Sequence, residues 1–123
     1  MFTFSQSSGM FNQDGALVGV GYAGFGYGKR NPAAQATRGI GPLPVGMYTI
    51  GSAETHPRLG PLTMRLTPDA TNEMFGRDMF FIHGENPEHP GESSDGCIVL
   101  DRDARTEVMI AVAKGENRLE VTT

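Results

Sequence analysis

The sequence predicts a small, mainly β domain, either a sandwich or a partly open barrel, with one main helix after its single cysteine. A length of 123 residues is that of one domain, since domains cluster at roughly 100–150 residues. Seventeen glycines are about twice the usual share of roughly 7%, which favours turns and short strands over long helices. One stretch, Asp101–Lys114, carries a helical pattern. We therefore expect residues 1–123 to form one domain.

The N-terminal third of the chain predicts strands and tight turns. Phe2–Gln6 alternates apolar and polar residues, as a half-buried strand does. Met10–Asn12 and Ala16–Gly21 flank an Asp14-Gly15 pair, and Asp-Gly is typical of a hairpin turn. Asn31–Ala36 predicts one helical turn, because Asn is a favoured cap and Pro is favoured at the first helical position.

The central part of the chain predicts further short strands separated by loops. Strands are expected at Met47–Ile50, Leu62–Leu66 and Met79–Ile82, the last being an apolar run typical of a buried strand. Asp69–Phe75 predicts a helical turn. Gly51–Gly60 is polar and turn-rich, and Glu85–Ser94 is expected to form a loop.

The C-terminal part predicts the main helix and a closing strand. Asp101 is a favoured cap for a helix that runs to Lys114. Gly115 follows at a position where helices commonly end, and Leu119–Thr122 indicates the last strand. Apolar residues recur along the helix at the spacing of one buried face: Ala104, Val108, Ala111 and Val112.

Charge and hydrophobicity exclude two classes of partner. The formal net charge of -4 and the pI near 5.2 argue against nucleic acid, whose binding domains usually carry a basic patch. No apolar run approaches the ~20 residues that a membrane-spanning helix needs, so no membrane insertion is expected. The segment Met1–Gly9 lacks the basic start and apolar stretch of a secretory signal peptide. We expect the protein to be made in the cytoplasm without such a peptide.

A glycine-rich segment matches a dinucleotide-binding pattern. Gly19–Gly24 fits G-x-G-x-x-G, but that pattern binds pyrophosphate only where a strand passes directly into a helix. Phe25–Gly28 follows and is too rich in glycine for a helix. We therefore expect a glycine-rich strand end and loop, or a flexible flap beside an active site, and no cofactor.

His83 and Cys97 are the candidate catalytic pair. A lone cysteine is ordinarily a small buried hydrophobe, but here a histidine at a strand end precedes it by one loop. An imidazole nearby would take the thiol proton or hold the thiolate as an ion pair. Gly96 gives an uncrowded approach to the sulfur, and the N–H groups around Gly96 and Cys97 would line an oxyanion hole. Gly84 permits a sharp exit from the strand after His83.

A metal site is the competing interpretation of the same residues. It would use His83, His89, Asp95 and Cys97 as ligands. With one thiolate and irregular spacing, the set lacks the ligand pattern of structural zinc sites. We rank the metal site below catalysis and expect no metal.

The residues around the pair resemble a known active-site signature. Phe80–Gly84 and Ser94–Leu100 resemble the histidine-glycine, loop and Ser/Thr-x-Gly-Cys signature of the L,D-transpeptidase (YkuD-type) fold. Gly41–Ile50 is similar to the start of a strand in that family. The order of Gly21–Gly24, Asn31–Ala33 and Gly41-Pro42 resembles the compact L,D-transpeptidase effectors exported by type VI secretion systems.

The resemblance implies a cysteine acyltransferase or hydrolase that acts on peptidoglycan stem tetrapeptides. Cys97 would attack the carbonyl between the L-centre of meso-diaminopimelate and the terminal D-alanine, forming a thioester. His83 would act as the base, with its ring held by the carbonyl of Gly84. An amine acceptor would then give transpeptidation or D-amino-acid exchange, and water would give carboxypeptidation.

The resemblance also implies substrate-binding residues, with one departure from the family. Tyr22, Ser94 and Asp95 would contact substrate or shape the loop that holds it. Many housekeeping members carry an arginine where this chain has Val99. Substrate carboxylates still require a cation, and Arg102 and Arg105 at the start of the predicted helix are the candidates.

The biological role that follows is that of an antibacterial toxin. We expect a secretion-system carrier to deliver the enzyme into the periplasm of a target cell, and a cognate immunity protein to neutralise it. The alternatives are a housekeeping cell-wall L,D-transpeptidase core and an inactive peptidoglycan-binding module.

Overall fold

Nine strands and one α-helix are present in the computed structural model, which describes residues 1–123. Two short 3-10 helices lie between the third and fourth strands, at Gly26–Gly28 and Pro32–Ala34. The α-helix, α1, spans Arg102–Ala113. The strands are β1 (Phe2–Ser5), β2 (Met10–Gln13), β3 (Ala16–Val20), β4 (Gly46–Ile50), β5 (Glu54–His56), β6 (Gly60–Pro68), β7 (Phe80–His83), β8 (Ile98–Val99) and β9 (Arg118–Thr122).

The strands form one sheet in the order β3-β2-β1-β9-β4-β6-β7-β8, with β5 added alongside β6. Two neighbouring pairs are parallel, β1 with β9 and β7 with β8, and the others are antiparallel. The last strand of the chain therefore lies in the middle of the sheet, between the first strand and β4. The expected mainly β class is confirmed.

The two ends of this sheet meet next to the candidate cysteine. Just after β3, the N–H of Tyr22 donates to the carbonyl of Val99 in β8 at 3.2 Å, and the N–H of Val99 donates back at 2.8 Å. A Cβ at Gly21 would lie 1.9 Å from the same carbonyl oxygen, so only glycine permits this approach. Of the two predicted architectures, the partly open barrel is the one observed.

Helix α1 packs against the curled sheet with one face buried and the other exposed. It contacts both β3 and β6, which lie far apart in the strand order. The carboxylate of Asp101 accepts the N–H of Ala104 at 2.8 Å, which caps the helix as predicted. No helix in the structure has the length and apolar character that a bilayer span requires. The core between helix and sheet includes Phe2, Phe4, Phe11, Tyr48, Ile50, Met64, Leu66, Ile82, Ile98, Leu100, Ala104, Val108, Leu119 and Val121.

One local prediction is wrong, and one strand was not predicted. Asp69–Phe75 forms turns and not a helical turn, because the amide of Asn72 binds the backbone of Met47: it accepts the N–H at 3.1 Å and donates to the carbonyl at 2.9 Å. The Asn72 side chain thus takes the place of a neighbouring strand in hydrogen bonding to the backbone of β4. The turn-rich segment at 51–60 also contains β5, a strand that the sequence did not predict, and His56 holds its turn into β6.

Candidate active site

His83 and Cys97 line one cavity of about 340 Å³. His83 is the last residue of β7, and Cys97 directly precedes β8. The two strands are parallel, with Ile82 opposite Ile98, so the register continued by one residue places Cys97 beside Phe81. Side chains alternate along a strand, and Phe81 and His83 therefore share a face. The parallel pairing thus brings the two predicted residues to the same side of the sheet.

The ring of His83 is buried and held in one orientation. Its Nδ1 lies 2.8 Å from the carbonyl oxygen of Gly84; since a carbonyl only accepts, Nδ1 carries the proton and Nε2 is left as the acceptor. Burial lowers the pKa of His83, with the charge of Arg105 acting in the same direction, although the Gly84 carbonyl opposes the shift. The imidazole is therefore neutral at pH 7 and able to accept a proton.

The thiol of Cys97 is also neutral. Burial raises its pKa to about 11 and the carboxylate of Asp95 adds to the shift, while the N–H of Phe81 and the charge of Arg77 oppose it. The Sγ atom lies 3.9 Å from the carbonyl oxygen of Met79. The thiol and the imidazole that line the same cavity are therefore both uncharged at rest.

Ser94 holds the turn that presents the cysteine. It is 1% exposed, and its Oγ accepts the N–H groups of Gly24 and Gly96 at 2.9 and 3.0 Å while donating to the carbonyl of Cys97 at 2.6 Å. We expected the N–H of Gly96 to line an oxyanion hole. Because this N–H donates to Ser94 instead, it is not free to do so. The N–H of Cys97 donates to no backbone carbonyl and remains the local donor.

Arg77 is a central residue of the site that the sequence did not reveal. It lies in a turn before β7, where an arginine ordinarily faces solvent, yet it is 5% exposed. Its guanidinium donates to four backbone carbonyls, those of Gln35, Gly41, Pro42 and Asp95, at 2.6 to 3.2 Å.

Gly96 has to be glycine because of Arg77. The guanidinium also stacks over the Phe80 ring, 5.2 Å from its centroid. A Cβ at Gly96 would lie 2.6 Å from Nη2 of Arg77 and 2.8 Å from the Phe80 ring, and φ there is +140°. The glycine of the Ser-x-Gly-Cys signature therefore makes room for a buried cation and its aromatic neighbour.

Neither arginine predicted to bind substrate reaches the cavity. Arg105 is buried: Nε donates to the carbonyl of Leu100 at 3.1 Å and Nη1 to that of Pro61 at 3.0 Å. Its guanidinium packs against Gly84, where a Cβ would lie 2.6 Å from Nη2. Arg102 is exposed on the helix and lines no cavity wall near Cys97. The arginines of the cavity are Arg38, Arg58 and Arg77.

Tyr22 fixes the loop between the two catalytic candidates and does not line the cavity. Its hydroxyl donates to the carboxylate of Glu85 and accepts the N–H of Ser93 at 3.0 Å. The ammonium of Lys29 lies 4.2 Å from the centroid of its ring and donates to the carbonyl of Gly91 at 3.0 Å. Tyr22 and Lys29 thus hold both sides of the loop. Asp95 lines the cavity.

The glycine-rich segment after β3 is packed and is not a free flap. Gly21 and Gly24 are buried, and the N–H of Gly24 is the one that Ser94 accepts. The competing metal interpretation also finds no support in the geometry. No three His, Cys, Asp or Glu side chains are placed together to hold an ion, and His89 is exposed in the loop.

Comparison with known proteins identifies the family. A sequence model of the Tlde1 domain matches residues 19–123, which include His83, Cys97 and every cavity residue named above. The chain belongs to the Tlde1 domain family. No curated protein and no solved structure gives a significant match. Tlde1 domains are the L,D-transpeptidase-type effectors of type VI secretion systems, which are secreted and act in the periplasm of target cells.

Replacing Ser94 by Ala is expected to destabilise this Tlde1 domain by at least about 2 kcal/mol. The change leaves two N–H groups and one carbonyl without their partner, and each buried unpaired group costs roughly 1–3 kcal/mol. The neighbouring Ser93→Ala is the matched control, because its Oγ bonds are exposed and surface changes usually stay within about 0.5 kcal/mol. Urea unfolding at equilibrium measures both; equal losses would contradict the assignment.

Proposed function

We propose that this Tlde1 domain is a peptidoglycan-modifying cysteine enzyme that acts on stem tetrapeptides. It cleaves the bond between the L-centre of meso-diaminopimelate and the terminal D-alanine, as an L,D-carboxypeptidase, an exchanger of the terminal D-amino acid, or both. The observation that carries the proposal is the shared cavity of Cys97 and His83, in which the Gly84 carbonyl fixes the tautomer of the histidine.

The first half-reaction forms a thioester. As Sγ of Cys97 attacks the scissile carbonyl, Nε2 of His83 takes the thiol proton, and the oxyanion accepts a hydrogen bond from the N–H of Cys97. When the tetrahedral intermediate collapses, the C–N bond breaks and His83 returns the proton to the amine nitrogen. D-Alanine leaves, and the tripeptide remains attached to sulfur.

The second half-reaction resolves the thioester. His83 takes a proton from water or from an amine as that nucleophile attacks the thioester carbonyl. The C–S bond then breaks, and the proton goes to the sulfur. Water releases a tripeptide, whereas a D-amino acid gives a tetrapeptide with a new terminal residue.

The biological role proposed is that of an antibacterial toxin. Membership of the Tlde1 family supports delivery by a type VI apparatus and favours this role over a housekeeping cell-wall enzyme. A toxin of this kind requires a carrier in the secretion apparatus and an immunity protein that protects the producing cell. The paired His83 and Cys97 argue against an inactive binding module.

Purified enzyme is expected to remove or exchange D-alanine from disaccharide tetrapeptides under reducing conditions, as followed by mass spectrometry. Cys97→Ala should abolish the products, and His83→Gln should lower kcat by roughly 10²–10⁴-fold, the usual contribution of a general base. His89→Gln is the matched control, because His89 is exposed outside the cavity, and it should leave kcat unchanged. Absence of product with the wild-type enzyme would reject the enzymatic proposal.

The pH dependence is expected to reflect a neutral pair. Because the pKa of His83 is lowered from 6.5, the base stays unprotonated to below that pH, and kcat/KM should fall only as pH drops through the lowered value. Because the Cys97 pKa is about 11, alkylation by iodoacetamide should accelerate steadily up to pH 9. A plateau in the alkylation rate near neutral pH would instead indicate a resting thiolate–imidazolium pair.

Expression in the periplasm of a bacterial host is expected to stop growth, since the substrate lies there. The same protein kept in the cytoplasm should be harmless, and periplasmic Cys97→Ala should be harmless at the same protein level. Growth curves with immunoblots measure this difference. Harmless accumulation of active enzyme in the periplasm would count against the toxin role.

A further inference from the structure

We propose that Arg58 binds the carboxylate of the terminal D-alanine, and the carboxylate of the D-amino acid that replaces it. This inference rests on the proposed function and names the residue that recognises both the leaving group and the incoming acceptor. It assigns to the hairpin between β5 and β6 a role in substrate selection.

Arg58 lies where two cavities join. The cavity that contains Cys97 continues into a second cavity of about 520 Å³, which lies beyond His83 and does not include the cysteine. Both share Arg58, Leu59, His83, Ser93 and Asp95. The result is one groove with His83 and Arg58 at its middle and the nucleophile on one side.

The hairpin tip that carries Arg58 is fixed by its backbone. Nδ1 of His56 accepts the N–H groups of Arg58 and Leu59 at 3.1 and 3.2 Å. The His56 ring packs edge-on against Phe81, with the centroids 5.1 Å apart. The tip is therefore anchored to β7, the strand that carries His83, while the Arg58 side chain itself is exposed.

Arg58 is the arginine of the groove whose guanidinium is uncommitted. It has no side-chain hydrogen bond, and no carboxylate lies within ion-pair distance of it, although Asp95 lines the same junction. Arg77 is engaged by four carbonyls, and Arg38 donates to the carbonyl of Gly76 at 2.8 Å. A planar guanidinium with free donors suits a carboxylate, which it binds through two parallel hydrogen bonds.

The chemistry places the D-alanine carboxylate near this residue. His83 has to protonate the leaving amine, so D-alanine lies on the His83 side of the sulfur. Its carboxylate is separated from that nitrogen by one carbon atom and therefore lies close to His83 as well. A D-amino-acid acceptor retraces this path in reverse, with its amine at His83 and its carboxylate at Arg58. Water, the competing nucleophile, has no carboxylate, so Arg58 does not help to bind it.

The test compares wild-type enzyme with Arg58→Gln on two substrates: the tetrapeptide, and its analogue with a C-terminal carboxamide. Arg58→Gln should lower kcat/KM for the tetrapeptide by about 10- to 100-fold, the usual effect of losing hydrogen bonds to a charged group. Replacing the C-terminal carboxylate by the carboxamide should lower kcat/KM of the wild-type enzyme by a similar factor. It should lower kcat/KM of Arg58→Gln only slightly further. Arg58→Lys should recover part of the loss, because it restores the charge.

The partition of the thioester gives a second readout. With a free D-amino acid present, Arg58→Gln should lower the ratio of exchange to hydrolysis about tenfold or more, a shift that general damage to the fold would not produce. Arg102→Gln, an exposed arginine outside the groove, should match the wild-type enzyme in both assays.

Four outcomes would overturn the inference. Equal kcat/KM for wild type and Arg58→Gln on the tetrapeptide would remove Arg58 from recognition. If the effects of the substitution and of the carboxamide on kcat/KM were fully independent, Arg58 would not contact the carboxylate of the terminal D-alanine. An unchanged ratio of exchange to hydrolysis would mean that Arg58 does not contact the carboxylate of the incoming D-amino acid. A wild-type enzyme inactive on both substrates would reject the proposed function itself, and this inference with it.

Discussion

The active site depends on one buried cation without a counter-charge. Arg77 donates to four backbone carbonyls: three belong to the segment before β4, and one is that of Asp95 in the turn that presents Cys97. Hydrogen bonds from a charged donor contribute roughly 1.5–3 kcal/mol each, which offsets the removal of the guanidinium from water. The same group stacks on Phe80 and occupies the space beside Gly96. Segments distant in sequence are thus fixed around the nucleophile by a single side chain.

This arrangement also sets the chemistry of the catalytic pair. The burial that stabilises the turn raises the pKa of Cys97 and lowers that of His83, so both groups rest uncharged. The positive charge of Arg77 favours the thiolate, but it is spread over four carbonyl partners and only partly opposes burial. The Gly84 carbonyl then fixes which nitrogen of His83 accepts the proton. In the proposed mechanism the thiolate therefore forms during attack and is not present in the free enzyme.

Much of the fold follows from local signals in the sequence, whereas the groove does not. Asp101 caps α1 and Asn31 caps the turn at Pro32–Ala34, as local hydrogen-bonding preferences predict. The signature around His83 and Cys97 identifies two residues of one cavity, because the parallel strands place them there. Arg58, Arg77 and Arg105 are indistinguishable in sequence from solvated cations. In the structure Arg58 is exposed in the groove, Arg77 is buried beside Cys97, and Arg105 packs beneath Gly84. The burial of Arg77 and Arg105 depends on carbonyls contributed by segments distant in the sequence.

The position of β9 between β1 and β4 has a consequence for the order of folding. β1–β3 and β4–β8 each form from neighbouring strands, but in the sheet they are joined through β9, which is synthesised last. The pairing of Phe2 with Leu119 closes a loop of nearly the whole chain, and such non-local contacts slow folding. The sheet is therefore completed only after synthesis has reached β9. Until that moment β1 and β4 have no strand between them, and the segment that carries His83 and Cys97 meets the N-terminal strands through the pairing of Tyr22 with Val99 without the completed sheet behind it.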